Sequence, residues 1–302
     1  VDNTEGSWSG EELAAELAAE LGAAAEVHYL PEVDSTNSWL KARSATLRRD
    51  QVRVVFTDRQ TAGRGTRGRD WLQAPAGDIA LSLGFGIGAA QRIDSRLSLV
   101  VGALIAAVIE RDVALPTRVK WPNDVLTRPL RQTAGPWRKV CGILIETCAA
   151  AAGTQQLVVG AGVNVNSTAA EYPAELRGRL TTLSDSLGHP LNRQLLLLLL
   201  ARGLASLAGM VGFAAPGPAL TAAGTIDELV GRWLERDVTA GTRYILSRGG
   251  ERQAVTALRV DARTCGLWCR DQQGREHLVT SYTELEQPPP GSNRNDPQHR
   301  RP

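Results

Sequence analysis

The chain reads as a mixed α and β protein with a small all-β unit near its C-terminal end. Three observations predict this. Strand-like and helix-like patterns alternate up to about residue 236. From residue 237 the β-like runs become short and evenly spaced. A length of 302 residues suffices for one large domain plus a small one. Alternation alone leaves α/β and α+β both open. The divisions expected are an N-terminal extension with a short helix at 1–26, a large domain at 27–236, a β-barrel at 237–286, and a disordered tail rich in Pro, Asn and Arg at 287–302.

Each element has a local reason. Residues 9–21 read as an amphipathic helix, with Ser9 as N-cap, Glu11 and Glu12 in the first turn, and Leu13, Leu17 and Leu21 on one stripe. Residues 27–33 read as a strand interrupted at Pro31. Asp34 or Ser35 then caps a short helix bearing Trp39 and Leu40. Residues 52–57 are a β-branched strand. Residues 78–85 alternate Ile79, Leu81, Leu83 and Phe85 on one face. Residues 94–110 form a helix with little polar surface, suited to packing on a sheet. In 118–126 a strand runs into Trp121-Pro122, and Asn123 and Asp124 occupy a turn that brings Lys120 and Asp124 to one strand end. After a polar loop, 127–138, two strands follow at 139–147 and 155–165. Gly160 and Gly162 inside the second predict a bulge or close approach by another group, and Asn164 and Asn166 project to the same side. Helices are predicted at 192–211 and 226–236, and short strands at 242–246, 254–260, 266–270 and 276–281.

Composition removes several classes of function. Formal net charge is only +2, so no global field points to nucleic acid. A single N-terminal helix is too little for a DNA-reading module, which needs a recognition helix. The six leucines at 195–200 are closely flanked by Arg193 and Arg202 and read as a buried helix, not a membrane span. The acidic, Ala-rich start is no signal peptide. Four cysteines make no disulfide framework and have no histidine at zinc-ligand spacing. They are expected to be reduced thiols in a cytoplasmic protein.

The most informative stretch is residues 60–71, Q-T-A-G-R-G-T-R-G-R-D-W. Gly63, Gly65 and Gly68 alternate with Arg64, Arg67 and Arg69. Glycines let backbone approach a ligand, successive N–H groups can nest an anion, and guanidinium forks suit phosphate or carboxylate. No helix-opening pattern follows, so this is no dinucleotide fingerprint, and no Gly-Lys-Ser/Thr makes it a Walker loop. The reading is a mobile cationic flap between two strands.

The series S-T-N, Q-T-A-G-R-G-x-x-G-R-x-W, K-W-P-N-D-V-L, K-V-x-G-I-L-x-E and G-x-G-V-N-V-N, in this order, resembles biotin–protein ligase over residues 31–165. The resemblance implies an α+β catalytic domain related to class II aminoacyl-tRNA synthetases, with a mixed sheet, and a C-terminal SH3-like barrel. It implies two steps. Biotin and MgATP give biotinyl-5′-adenylate and pyrophosphate, and a lysine of a biotin carboxyl carrier domain then takes the biotinyl group and releases AMP. Only about thirty residues precede the core, which implies no N-terminal DNA-binding domain and no nucleic-acid partner. No membrane is involved, and the oligomeric state is left open.

The resemblance also implies roles. Lys139 would bridge the biotin carboxylate and the α-phosphate, with Arg64 beside it, and Asp124 would orient or deprotonate the acceptor amine, or hold Mg2+. Ser35, Thr36, Asn37, Gln60, Gly63, Arg64, Lys139 and Gly142 would hold biotin. Gly65, Thr66, Arg67, Gly68, Trp71, Asn123 and Asn164 would hold ATP and the adenylate, with adenine between Trp71 and Asn164. The alternative is acyl transfer of the lipoate–protein ligase kind, whose motifs differ from K-W-P-N-D and G-R-G-x-x-G. A catalytically dead binding module would be expected to have lost Lys139 or Asp124. One departure stands out: Thr66 occupies the position after G-R-G where the family usually carries arginine. The expectation is that Arg67 partly replaces that charge and that the adenylate is held less tightly.

Overall fold

A seven-stranded mixed sheet carries the larger part of the chain. The computed structural model describes residues 8–73, 77–131, 134–213 and 223–286. The tail expected at 287–302, and most of the connection at 214–224, lie outside the described residues. In chain order the sheet uses β1 (Ala25–Val33), β2 (Val52–Gln60), β3 (Ile79–Gly88), β4 (Thr117–Lys120), β5 (Asp124–Thr127), β6 (Arg138–Ala149) and β7 (Thr154–Val163). Their spatial order is β1-β2-β3-β7-β6-β5-β4. Only the β1–β2 pair is parallel; the others are antiparallel. This is α+β architecture with a mixed central sheet.

The helices are α1 (Gly10–Leu21), α2 (Thr36–Ala42), α3 (Leu97–Val108), α4 (Ala174–Arg177), α5 (Leu183–Leu187), α6 (Arg193–Ala205), α7 (Leu207–Met210) and α8 (Ile226–Leu234). The main core lies between one sheet face and α1, α3, α6 and α8. It takes Leu81, Leu83 and Phe85 from β3 and Leu157, Val159 and Val163 from β7. The alternate residues of these strands point to the other face. There α2 covers part of the sheet through Leu40, Val55 and Val158, and a cavity opens beside the start of that helix.

Several elements differ from the sequence reading. Pro31 does not interrupt its strand. β1 is an edge strand, the register passes from the Leu30–Thr57 pair to Glu32–Arg59, and an edge position tolerates a residue without an amide proton. The N-terminal helix is not an appendage: Leu13, Leu17 and Leu21 belong to the main core, and a capping box between Ser9 and Glu12 starts it. The helix expected at 94–110 begins at Leu97 and ends in a π turn, Ile109–Val113. The apolar stretch Arg193–Met210 is long enough and apolar enough to cross a membrane, yet more than half of it is buried inside the fold, as α6 and α7.

From Arg243 the chain forms a five-stranded antiparallel sheet. Its strands are β8 (Arg243–Arg248), β9 (Glu251–Val260), β10 (Leu267–Asp271), β11 (Glu276–Val279) and β12 (Leu285–Glu286), in the order β11-β10-β9-β8-β12. Its buried residues, among them Tyr244, Leu246 and Val255, join the same apolar cluster as the large sheet. Polar ties reinforce the join. Trp121 donates its indole proton to the Cys265 carbonyl at 2.8 Å and its amide to Thr239 Oγ1 at 2.8 Å. Burial pushes the thiol of Cys141 up to about 12 and that of Cys269 up to about 11, so neither is a thiolate nucleophile at neutral pH.

Trp233 of α8 joins these layers. It is 1 % exposed and lies on Gly102 of α3, where a Cβ would meet its indole nitrogen at 3.1 Å. Trp233→Ala is expected to cost about 3–5 kcal/mol. Urea unfolding of the full chain checks this, and a loss below about 1 kcal/mol would contradict its place in the core.

Candidate active site

The cavity has a volume of about 680 Å3 and lies over the middle of the large sheet. Its floor is made of small residues, and the strand register shows why. Asp124, Gly142, Gly162 and Ala80 form one row across β5, β6, β7 and β3, and Leu144, Gly160 and Ser82 form the next. No bulge occurs at the two β7 glycines; close approach explains both. A Cβ at Gly162 would meet the Trp71 ring at 2.2 Å, and one at Gly160 would meet Asn37 Oδ1 at 2.3 Å. Side chains from outside the sheet thus rest directly on its backbone.

A bulge brings Lys139 to this floor. Val125 pairs with Cys141 and Leu126 with Lys139, so Val140 is the extra residue. Val140 and Cys141 are both fully buried, and the strand resumes its alternation with Gly142 on the cavity face. Without the extra residue, Lys139 and Gly142 would face opposite ways. As built, Lys139 Nζ is 2.6 Å from Asp124 Oδ1 and 5.5 Å from the centre of the Trp71 ring. Lys120 and Asp124 are the paired residues closing the β4–β5 hairpin, and the Asp124 carboxylate holds Lys139.

The polar end of the cavity is a hydrogen-bonded cluster around the start of α2. Ser35 caps that helix. Gln60 Oε1 accepts from the Thr36 amide at 2.9 Å and from its hydroxyl at 3.2 Å. Ser82 Oγ is 2.7 Å from Thr36 Oγ1 and donates to Asn37 Oδ1 at 2.7 Å. Asn37 in turn donates to Glu146 at 2.9 Å, and Glu146 binds Lys41 at 2.6 Å and Arg64 at 3.2 Å. Burial alone would raise the Glu146 carboxyl; Lys41 and Asn37, with the charge of Arg64, override it and hold the group below the usual carboxylate range. Ser82 and Glu146 were missed in the sequence. The small, polar alternate positions of the 78–85 strand were the available signal for Ser82; nothing local marks Glu146.

The Gly/Arg loop is folded back on itself. The Trp71 amide donates to the Gly63 carbonyl at 2.8 Å and the Gly65 amide to the Arg69 carbonyl at 2.7 Å. Arg67 (φ 64°) and Gly68 (φ 67°) make the tip. The arginines diverge. Arg64 lies on Glu146. Arg69 is the guanidinium beside Thr66, 3.5 Å from its hydroxyl. Arg67 turns to the C-terminal sheet, where it donates to the Tyr282 carbonyl and lies 5.7 Å over the Tyr282 ring. The expectation that Arg67 takes over the charge missing at Thr66 therefore meets a guanidinium committed elsewhere, and Arg69 stands closer.

Asn123 lines the cavity and also has a structural task. Its side-chain amide donates to the Ile143 carbonyl at 2.7 Å, so it fastens the hairpin to β6 and thereby positions Asp124. Asn164 is 2 % exposed; its amide donates to the Thr181 carbonyl, while its Oδ1 has no partner among the described residues. Trp71 Nε1 and Tyr244 Oη are likewise buried and unpartnered. All three residues line the cavity. Orphaned buried polar atoms gathered on one cavity wall mark a polar ligand site.

With this geometry in place, the comparisons with known proteins are consistent. Residues 29–164 match the biotin/lipoate A/B protein ligase family. The bifunctional ligase/repressor BirA of Escherichia coli is 29 % identical over 235 residues, 78 % of this chain and 70 % of that protein. The biotin–protein ligase of Aquifex aeolicus, solved in complex with biotin and ATP, superposes with a TM-score of 0.63 at 25 % identity, over 86 % of this chain and 97 % of that one. The chain is similar to biotin–protein ligases in sequence over residues 29–164 and in fold over most of its length. The biotin–[acetyl-CoA-carboxylase] ligase of Mycobacterium tuberculosis is a further relative, 31 % identical over 164 residues.

The Glu146 cluster gives a pH prediction. A carboxyl whose folded pKa is lowered stabilises the protein above its unfolded pKa, and this stability is lost as pH falls through the folded value. Glu146→Gln should therefore flatten the acid side of the stability–pH curve below the ordinary glutamate value of 4.5. Urea midpoints measured from neutral pH downward check it, and an unchanged acid slope would contradict the assignment.

Proposed function

We infer that the protein activates biotin with ATP to biotinyl-5′-AMP and transfers the biotinyl group to a lysine of a carrier protein. The observation that carries this reading is the Lys139–Asp124 pair, held over the glycine row of a cavity that also contains the Ser35–Asn37 cluster. Biotin's uncharged ureido head needs neutral donors and acceptors, and Thr36, Asn37, Gln60 and Ser82 supply them at one end. In the first step a biotin carboxylate oxygen attacks the α-phosphorus and pyrophosphate leaves. Both reactants are anions, so a fixed cation between them lowers the barrier. Lys139 is that cation in our reading, exchanging Asp124 for the substrate oxygens. Asp124 is then free beside the reacting centre. In the second step the acceptor amine attacks the acyl carbon and AMP leaves. Asp124 would receive the proton that the nitrogen loses.

Trp71 and Asn164 offer a ring face and an unpartnered acceptor to adenine, and Arg69 offers charge to phosphate. Among the described residues no group of three His, Cys, Asp or Glu is placed to hold a metal ion, and Asp124 is committed to Lys139. Asp124 alone makes no protein cage for magnesium; a single carboxylate could touch this ion only together with substrate phosphates. We treat Mg2+ as part of the MgATP substrate, coordinated by phosphate oxygens, and route no step through it. The acceptor we propose is the carrier domain of a biotin-dependent carboxylase, and the ATP requirement supports a cytoplasmic setting.

Lys139→Ala should abolish biotin-dependent ATP–pyrophosphate exchange, falling by roughly 2–4 kcal/mol of transition-state stabilisation. Exchange at the unaltered rate would remove Lys139 from the chemistry.

A further inference from the structure

The loop between β5 and β6 carries a feature that adenylation does not use. Trp137 lines the cavity rim two residues before Lys139. Two guanidinium groups lie over its ring, Arg118 of β4 at 4.9 Å and Arg128 of the loop at 4.4 Å. Arg138 follows directly, with a buried Nε that has no partner among the described residues. Arg179, whose carbonyl accepts the Lys139 amide, lines the same rim.

Among the described residues, none of Arg118, Arg128, Arg138 and Arg179 has a carboxylate within 4 Å, whereas Arg53, Arg96, Arg193 and Arg236 elsewhere each hold one. The two guanidiniums that meet over Trp137, with no carboxylate to neutralise them, repel one another and attract an anionic partner. Stacking on Trp137 fixes two of them in advance, which lowers the entropy lost on binding. Two anions are candidates, the nucleotide phosphates and an acidic protein surface. The cavity wall decides between them. Trp137 and Arg179 line it, but Arg118, Arg128 and Arg138 do not, so those three stand outside the space a nucleotide fills.

We propose that Arg118, Arg128 and Trp137, with Arg138 and Arg179, form a docking surface for an acidic face of the protein acceptor, beside the opening through which its lysine reaches Lys139 and Asp124. This rests on the biotin-transfer reading and assigns the recognition of its second substrate. Arg128 and Trp137, at the two ends of the connection between β5 and β6, are then specificity residues, and they act on the second half-reaction alone.

The test compares three assays on the full chain and on two double variants, Arg118→Gln/Arg128→Gln and Arg118→Glu/Arg128→Glu. They are biotin-dependent ATP–pyrophosphate exchange, transfer of labelled biotin to a purified biotin carboxyl carrier domain, and transfer to hydroxylamine as a small nucleophile. Exchange and hydroxylamine transfer should stay within about twofold, which also reports an intact fold. The kcat/KM for the carrier domain should fall roughly tenfold in the Gln variant and further in the Glu variant, with a flatter dependence on salt. Carrier kcat/KM within twofold of wild type would overturn the proposal. So would exchange and hydroxylamine transfer falling as much as carrier transfer, because the arginines would then serve the nucleotide or the fold. Absence of exchange in the unaltered protein would instead remove the biotin reading on which the proposal stands.

Discussion

One extra residue in one strand decides what this site can do. Val140 is inserted opposite the Val125–Leu126 step, and two consecutive side chains, Val140 and Cys141, go into the core. That half-turn of the pleat sets Lys139 on the cavity face, against Asp124 and Trp71. The partner strand is held to match. Asn123 fastens the β4–β5 hairpin to Ile143, and Trp121 fastens it to the C-terminal sheet through Thr239 and Cys265. The small domain thus contributes to the position of Asp124. A cation and a carboxylate 2.6 Å apart at a cavity floor are a stored pair, in which each holds the other until an anionic substrate takes the lysine.

The second constraint is space. Gly142, Gly160, Gly162, Ala80 and Ser82 keep the central strands bare on one face, while their alternate neighbours fill the core on the other. Trp71 and Asn37 rest on that bare backbone. The Gly/Arg loop is placed by the same contact, since Trp71 ends it and lies over Gly162. Its three arginines serve three surfaces: Arg64 the Glu146 cluster, Arg69 the Thr66 turn, and Arg67 the C-terminal sheet. Like charges placed so close in sequence are separated by giving each a different acceptor.

Much of this was legible in the residues. Period-two alternation located β3, the K-W-P-N-D hairpin was readable as a strand and a turn, and the paired glycines announced close approach. The order of the motifs pointed to the proteins that the chain is similar to. What was not legible required long-range information. The Lys139–Asp124 pair depends on a register shift between two strands, and no local pattern marks Val140 as extra; spacing brings Lys120 and Asp124 to one strand end, as the hairpin register has them, but does not announce Lys139. Glu146 reads as one polar residue of an alternating strand until Lys41, Asn37 and Arg64 converge on it. Pro31 looks like a break because sequence does not say which strand lies at an edge. The N-terminal helix looks like an appendage because its apolar stripe does not name the core it joins. Arg67 looks like a ligand clamp until the C-terminal sheet is seen to lie within its reach.

The central claim is that Lys139 gives up Asp124 for the reacting anions. The most direct measurement is a crystal structure of the protein with a non-hydrolysable biotinyl-sulfamoyl adenosine. The account predicts Lys139 Nζ within hydrogen-bond distance of the ligand's linking group, Asp124 released toward the open side, and the ureido group among Thr36, Asn37 and Gln60. Lys139 still paired to Asp124, with the linking group held by other residues, would contradict it.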